Sequence, residues 1–501
     1  MLDSIVENIK ILCDNKVDNL AALNCLQANL SYIFSIKDIK FKSIQNVVTA
    51  KPLAYYCLNF VPSGGVKNKL EDEIKNNIVL PVAGEFIKQY NDKRLEELEC
   101  KQIMDLQGIS DKVEMRRKKQ EQESEYKKVK DNPLKITFAN ATQASIYNTL
   151  KIIKDMGYGS SMIYNPEFAL FYEDAIVNRD KTKKEFLDML YNLYDGEYQS
   201  TNTVSTARED IDNIPAIVIF LSDYRLYSEN EKLAATFKGY MARGMARRSF
   251  VYFRNDINYY SDDFEYPTFE QKQKASDILK GQSRKIKDIF DRLEVHTTYN
   301  FSPDANKRIN QYKKEVNKRI REFYKYTNKL SIENEILKLN LEHSTWKIIK
   351  LAVLYHILDT EGYSDIIEVG SFNKAIQFFN KTHNCLDLLL KDRSITDYDK
   401  LYNHLISNIN RWVSKMELRG QNIVPARDFK MWFDDAMLNI SEQAESKGFA
   451  VVSRSTGLRN QGMEVALFDP SAYRFDSKIV DNVEKGQLVK IDNSDIEVSV
   501  I

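Results

Sequence analysis

An α/β fold built on a parallel sheet is predicted for the first half of this 501-residue chain. Three observations carry the prediction. Short apolar runs rich in β-branched and aromatic residues alternate with segments of helical period, as strands joined by crossover helices do. Several of these runs end in polar or glycine-bearing turns, the edge at which open α/β sheets bind ligands. Gly (17) and Pro (10) are scarce against a combined average usage of about 12%, which disfavours a turn-rich all-β fold. Beyond residue 268 the pattern becomes helical, and residues 393–471 follow a winged-helix pattern.

In chain order, residues 1–48 read as an N-terminal helical segment. Leu2, Ile5, Ile9 and Leu12 recur at helical spacing, and so do Leu20, Leu23, Leu26 and Leu30. Residues 53–61 (LAYYCLNFV) suit a buried strand. Pro62-Ser63-Gly64-Gly65-Val66-Lys67-Asn68 follows, and Lys69 to Tyr90 reads as a helix. Residues 91–131 are almost entirely charged or Gln, which predicts a long solvated helical arm projecting from the body. Strands are then expected at Leu134–Ala139, Ser161–Tyr164, Ile214–Leu221 and Ser249–Phe253, with helices at Thr142–Met156 and Glu185–Tyr194 between them. The α/β core thus spans 49–267, and a helical domain runs over 268–392. In 393–471 a helix over Tyr398–Leu418 and two more between Val424 and Lys447 precede a hairpin of Phe449–Val452 and Met463–Phe468. Residues 472–501 form a tail.

The charge is balanced, with 72 Lys+Arg and 72 Asp+Glu. A global positive field is therefore absent, and nucleic acid can be bound only by a local patch. The 25 Phe and 28 Tyr exclude disorder over the whole length. Five scattered cysteines and five histidines show no zinc or redox spacing, so reduced, mostly buried thiols and no dedicated transition-metal site are expected. No apolar run reaches the length of a membrane span, and no secretory signal pattern follows Met1. A cytoplasmic protein without membrane partners is the expectation. Abundant Ile, Asn, Lys and Tyr suggest an AT-rich genome.

Four places can carry chemistry. The loop at 62–68 stands between a strand and a helix, where backbone amides, glycines and a lysine cradle phosphates. Here Ser63, Gly64, Gly65, Lys67 and Asn68 are the candidate cofactor-binding residues; the alternative is an ordinary strand–helix turn. Glu167, in Asn165-Pro166-Glu167 after a strand, is placed to hold Mg²⁺ or polarise a water, or merely to shape a turn. Ser222 and Asp223 end the most β-like run. Arg243, Arg247 and Arg248 precede the next strand and could reach a γ-phosphate bound by a neighbouring subunit, or form a solvated basic face. Lys447, Arg454 and Arg459 are the candidate DNA contacts of the winged-helix pattern, which also serves as a protein–protein module.

Five segments, taken in order, resemble the phage- and plasmid-borne P-loop ATPases related to the helicase half of primase–helicases. They are YYCLNFVPSGGVKNK (55–69), FANATQASIYNTL (138–150), SSMIYNPEFALFYEDA (160–175), residues 193–223 with GYMARGMARRSFVYF (239–253), and EHSTWKIIKLAVLYHIL (342–358). The resemblance spans roughly residues 45–390 without the charged arm, and rests on order and spacing. It implies a RecA/AAA-like P-loop core with a parallel sheet, a helical lid, ATP and Mg²⁺ as cofactors, and a homo-oligomer in the form of a hexameric ring. By this likeness the protein is an ATP-dependent DNA helicase or translocase of phage or mobile-element replication, in the host cytoplasm, with DNA and other replication proteins as partners. Gly64, Gly65 and Lys67 hold phosphates, Asn68 and Glu167 serve Mg²⁺ and water, Ser222 or Asp223 senses the γ-phosphate, and Arg243, Arg247 or Arg248 completes a neighbour's site. The chain departs from the family at Val66, where Gly is usual, at Asn68, where Ser or Thr is usual, and at Pro166-Glu167, which has one carboxylate of a pair. These departures support the rival expectation, a catalytically degenerate P-loop protein used as a DNA-binding or assembly scaffold. A structural phage component is a third reading.

Overall fold

The structure is a computed structural model that describes residues 1–61, 67–107, 112–131, 137–138, 143–155, 157, 159–198, 210–223, 226, 231–254, 265–324, 330–391, 401–402, 404–406, 408–409, 411–414, 417–418, 450–454, 464–468 and 489–491. It divides into two compact units, Met1–Asp392 and Arg393–Ile501.

The first unit opens with helices α1 (Leu2–Leu12) and α2 (Asn19–Ser35). Asp18 caps α2, accepting from the Leu20 amide at 2.7 Å. Strands β1 (Lys40–Lys42), β2 (Lys51–Pro52) and β3 (Tyr56–Phe60) follow. Helix thus does not continue through residue 48; the chain pairs instead as β1 with β2. After the loop, α3 (Lys67–Ile74) runs into a π-helical stretch, Lys75–Gly84, and then α4 (Glu85–Gln107). Pro81 lies inside the π stretch and removes an amide from the helical ladder, a local feature the expected plain helix did not include. The charged arm is a pair of helices, α4 and α5 (Lys112–Asp131), packed on each other. Arg117 and Glu121 pair along α5 at 3.3 Å.

Next come β4 (Thr137–Phe138), α6 (Gln143–Asp155), β5 (Ser161–Asn165), α7 (Phe168–Ile176), α8 (Lys181–Leu193), β6 (Glu197–Tyr198), β7 (Ile211–Asp212) and β8 (Ala216–Ser222). Helix α9 (Glu231–Tyr240) passes through a π-helical turn, Met241–Met245, into the short turn Ala246–Arg248 and then β9 (Ser249–Tyr252). Five strands form one sheet in the order β4-β5-β8-β3-β9, and every pair is parallel. The expected strands are all present, though the one expected over Leu134–Ala139 is described only at Thr137–Phe138. β3 and β8 are buried at every position, which suits interior strands of a parallel sheet covered on both faces. Chain approach at the foot of β5 is close: a Cβ on Gly159 would stand 2.2 Å from the Ser35 carbonyl oxygen.

The remainder of the unit is α10 (Phe269–Arg292), β10 (Thr298–Phe301), α11 (Pro303–Phe323), α12 (Ile332–Glu342), α13 (Ser344–Asp359), β11 (Ile366–Ile367) and α14 (Val369–Lys391). It is not helical throughout, because β10 and β11 join β1 and β2 in a second sheet, order β11-β10-β1-β2. The apolar stretch 337–358 is two helices, divided at His343. Thr268 and Gln271 form a reciprocal capping box at α10, and Ser302 and Ser331 cap α11 and α12. One continuous core joins α1, α2, the five-stranded sheet and the later helices.

In the second unit, β12 (Val413–Ser414), β13 (Ala450–Arg454), β14 (Glu464–Phe468) and β15 (Val489–Ile491) form a sheet of order β12-β14-β13-β15. β13 and β14 are the expected antiparallel hairpin, with Ala450 opposite Phe468 and Arg454 opposite Glu464. The helix expected over Tyr398–Leu418 is interrupted by β12, which pairs with β14. β15, in the expected tail, pairs parallel to β13. The helices expected between Val424 and Lys447 lie outside the described residues. Among the described residues no helix is long and apolar enough to cross a membrane.

Phe168 is fully buried, and its ring stacks on Phe220 at 4.1 Å while meeting Tyr172 and Phe237. It fastens α7 to the central strand β8. Phe168→Ala should cost about 3–5 kcal/mol, read as a lower denaturant midpoint. A loss below about 1 kcal/mol, within the range of a surface substitution, would contradict this packing.

Candidate functional site

Parallel pairing brings the carboxyl ends of β3, β5 and β8 to one edge of the sheet. The register aligns Phe60 with Ser222 and Asn165 with Phe220. Glu167, two residues beyond Asn165, therefore leaves the sheet at the level of Ser222. The strand that carries the loop and the strand that carries the acid are separated by β8 alone, which supplies Ser222 and Asp223. Ligand crevices of open α/β sheets lie at such edges.

Lys67 is the first residue of α3, and its side chain is 10% exposed. Its ammonium stands 3.5 Å from Glu167 Oε2, a long contact with a carboxylate that is 48% exposed. This joins two of the predicted residues across 100 positions of sequence. The Asn165 side chain fixes the turn, its Oδ1 accepting from the Glu167 amide at 2.9 Å. Asn68 is exposed on the first turn of α3. Ser222 and Asp223 are buried; the Ser222 hydroxyl donates to the Asp223 carbonyl at 3.0 Å, and the Ser222 carbonyl accepts from the Val61 amide at 2.8 Å. Ser63, Gly64 and Gly65 lie outside the described residues, as do Lys447 and Arg459. Arg454 is the last residue of β13.

The three arginines do not join this group within one chain. They precede β9 and so lie at the amino edge of the sheet, a strand length of about 13 Å from the carboxyl edge. Arg243 is exposed, and its Nε–H donates to the Gly239 carbonyl at 3.4 Å. Arg247 is half-buried; desolvation, then repulsion from Arg248, lowers its pKa. Arg248 is buried, donates to the Gly244 carbonyl at 3.2 Å, and lies 3.7 Å from Asp195.

Several buried polar groups escaped sequence reasoning. Asn59, in the middle of β3, accepts from Asn24 at 2.7 Å and donates to the Ala21 carbonyl at 3.0 Å; Asn24 also donates to the Phe250 carbonyl at 3.0 Å. Tyr55 donates to Asn24 and Gln27 at 2.7 and 2.9 Å, and Gln27 donates to Tyr355 at 2.7 Å. This network holds α2 and α13 against the strand that feeds the loop. One turn beyond Lys67, Glu71 is buried and accepts from Asn29 at 3.1 Å. Burial pushes its carboxyl up to about 8, with the Asn29 hydrogen bond opposing. On α13, Lys347 donates to the Ala246 and Ser249 carbonyls at 3.3 and 3.0 Å, and Lys350 to the Tyr194 carbonyl at 2.9 Å. Burial lowers both amines, Lys350 to about 7. Burial also lowers His343 to about 4, with Arg247 adding to it. The only available signal was two lysines three apart inside an otherwise apolar helix.

Compared with known proteins, the chain matches no family model, and no curated protein matches it.

Glu71 makes a measurable pH signature. Its folded pKa is raised, so between about pH 4.5 and 8 the folded state keeps a proton that the unfolded state has lost. Stability then falls with pH by about 1.4 kcal/mol per unit across that window. Lys350 acts in the opposite sense: its folded pKa of about 7 lies below the ordinary 10.5, so its contribution rises above pH 7. The variant difference isolates Glu71. Glu71→Gln should gain on wild type steadily from pH 5 to pH 8 in denaturant unfolding. A difference that does not change with pH would contradict a buried, protonated Glu71.

Proposed function

We propose that the carboxyl edge of the five-stranded sheet binds a nucleoside triphosphate, and that the protein is an ATP-dependent DNA helicase or translocase of the RecA/AAA-like P-loop class. The observation that carries this reading is the Lys67–Glu167 pair at 3.5 Å, formed by residues that follow β3 and β5 on either side of β8. A phosphate-binding lysine and a water-polarising acid are required at those two strand ends. The one-strand separation between them supports the RecA/AAA-like core. The family likeness rests on the order of motifs.

The chemistry follows from the side chains. Without nucleotide, the mostly covered Lys67 ammonium has Glu167 as its partner. Triphosphate oxygens carry more charge and would take the lysine. Glu167, half-exposed, is then released to accept a proton from a water in line with the γ-phosphate. Asn68 and Glu167 are the donors for Mg²⁺. Among the described residues no group of three or more His, Cys, Asp and Glu forms a metal site. Mg²⁺ keeps several waters and takes one or two protein ligands beside substrate phosphates. Held there, Mg²⁺ would supply neutralisation of the charge developing on those phosphates. Ser222 and Asp223 stand between the two strand ends to sense the γ-phosphate.

Within one chain the arginines lie away from the carboxyl edge, so a γ-phosphate that one of them reaches belongs to another copy's site. Of the three, Arg243 alone is exposed. Arg248 is engaged inside its own chain by Gly244, Asp195 and the Tyr191 ring at 5.4 Å. Arg243 is therefore the residue assigned to a neighbour's γ-phosphate. The β13–β14 hairpin with β12 supports the winged-helix reading of the second unit, with Lys447, Arg454 and Arg459 as its DNA contacts. Val66 and Asn68 favour the rival, a P-loop protein that no longer hydrolyses ATP and acts as a DNA-binding or assembly scaffold.

The test is ATP hydrolysis with and without single-stranded DNA. Lys67→Ala should lower the rate by about 10²–10³, the range for removing one preorganised donor to a developing charge. Equal rates in wild type and variant would remove the motor reading, and nucleotide binding without hydrolysis would select the scaffold. In the same assay Arg243→Ala should lower hydrolysis and leave the thermal midpoint unchanged. Arg248→Ala should lower the midpoint by several degrees, as loss of a buried, hydrogen-bonded charge does. An unchanged midpoint for Arg248→Ala would contradict its anchoring role.

A further inference from the structure

We propose that the outer face of α11 (Pro303–Phe323) docks on the phosphate backbone of nucleic acid. This docking needs no nucleotide site and uses a helix of the first unit, so it goes beyond the function proposed above. α11 buries Ala305, Ile309, Tyr312 and Val316 along one side. The opposite side carries Lys307, Lys314, Lys318 and Arg321, all exposed. At 3.6 residues per turn these four fall within about 60° of arc and span about 21 Å of helix. Among the described residues none of the four has a salt-bridge partner.

The flanks of the row differ. Asn310 and Asn317 lie on one side. The helix's acids, Asp304, Glu315 and Glu322, lie on the other, and Glu315 is held by Arg308 at 2.8 Å. The cations thus form a line of their own, with amides along one flank and the three acids along the other. Four like charges in a row repel one another, and a polyanion laid along them relieves that repulsion. Duplex DNA carries one charge per about 1.7 Å of axis, so a straight 21 Å row can meet several phosphates. Amides on the flank add hydrogen-bond donors of the kind that contact phosphate oxygens. No large apolar side chain is exposed between Lys307 and Arg321, which removes the wedge that an interfacial membrane helix needs.

The experiment is fluorescence anisotropy of the full chain with a labelled 20-nucleotide DNA, in single-stranded and duplex form, over 50–200 mM salt. Wild type should bind at least one form with strong salt dependence. The Lys314→Gln/Lys318→Gln variant should lose about 1.4–1.8 from the slope of log K against log salt, at 0.7–0.9 per phosphate contact. Its affinity at 100 mM salt should fall on the order of tenfold. Lys314→Arg/Lys318→Arg should retain both, and the thermal midpoint of all three should agree because the positions are exposed. Lys280→Gln/Lys287→Gln on α10, which removes the same charge from another exposed helix, should leave the slope unchanged, and the binding is read without nucleotide, which separates this proposal from the nucleotide site. An unchanged slope in the α11 Gln variant, loss of binding in the Arg variant, or tighter binding of polyglutamate of matched charge would overturn it.

Discussion

The position of β3 constrains the rest of the structure. It is a fully buried strand paired parallel to β8 on one side and β9 on the other. Parallel pairing sends every carboxyl end to one edge, so the lysine after β3, the acid after β5 and the Ser-Asp pair after β8 meet there. It also sends the arginines before β9 to the other edge. A buried side-chain network then fixes β3 against α2, β9 and α13, through Asn59, Asn24, Tyr55, Gln27 and Tyr355. Buried amides without partners would be costly. Their mutual hydrogen bonds favour one register, and register decides what reaches the edge.

Much of the core was legible because its strands announce themselves. The run ending in Ser222 is apolar at nearly every position, and such a run has few other places to go than the middle of a parallel sheet. The same reasoning located β3, β5 and β9. It was less informative where local pattern and tertiary pairing disagree. Lys40–Lys42 continues a helical segment in sequence, yet pairs with β10 and β2. Ile366–Ile367 is too short to announce a strand, and its partner lies more than sixty residues earlier. Val413–Ser414 breaks a helical pattern because β14 offers an unpaired edge. Local sequence does not reveal that a distant edge is available.

That Lys67 and Glu167 come together was legible, since a lysine after one strand and an acid after the next-but-one strand meet at one edge of a parallel sheet. The setting of the arginines was not. Sequence treated three arginines alike, whereas only Arg243 is exposed and Arg248 is consumed by its own fold. Lys347 and Lys350 lie in an otherwise apolar helix and had no expected role. They are buried donors that satisfy the carbonyls of Ala246, Ser249 and Tyr194, which close the turns before β9 and after α8. Burial weakens their charge, and a hydrogen bond from a neutral or weakly charged amine keeps those carbonyls paired at lower desolvation cost. The amino edge is thus held by the later helices, while at the carboxyl edge Glu167 and Asn68 stay open to solvent.

The most direct measurement is a crystal structure of the full chain with a non-hydrolysable ATP analogue and Mg²⁺. The phosphates should lie at the carboxyl edge between β3 and β5, with the Lys67 ammonium moved from Glu167 onto them. A nucleotide bound elsewhere, or an edge that stays empty with the Lys67–Glu167 pair intact at saturating analogue, would contradict that placement.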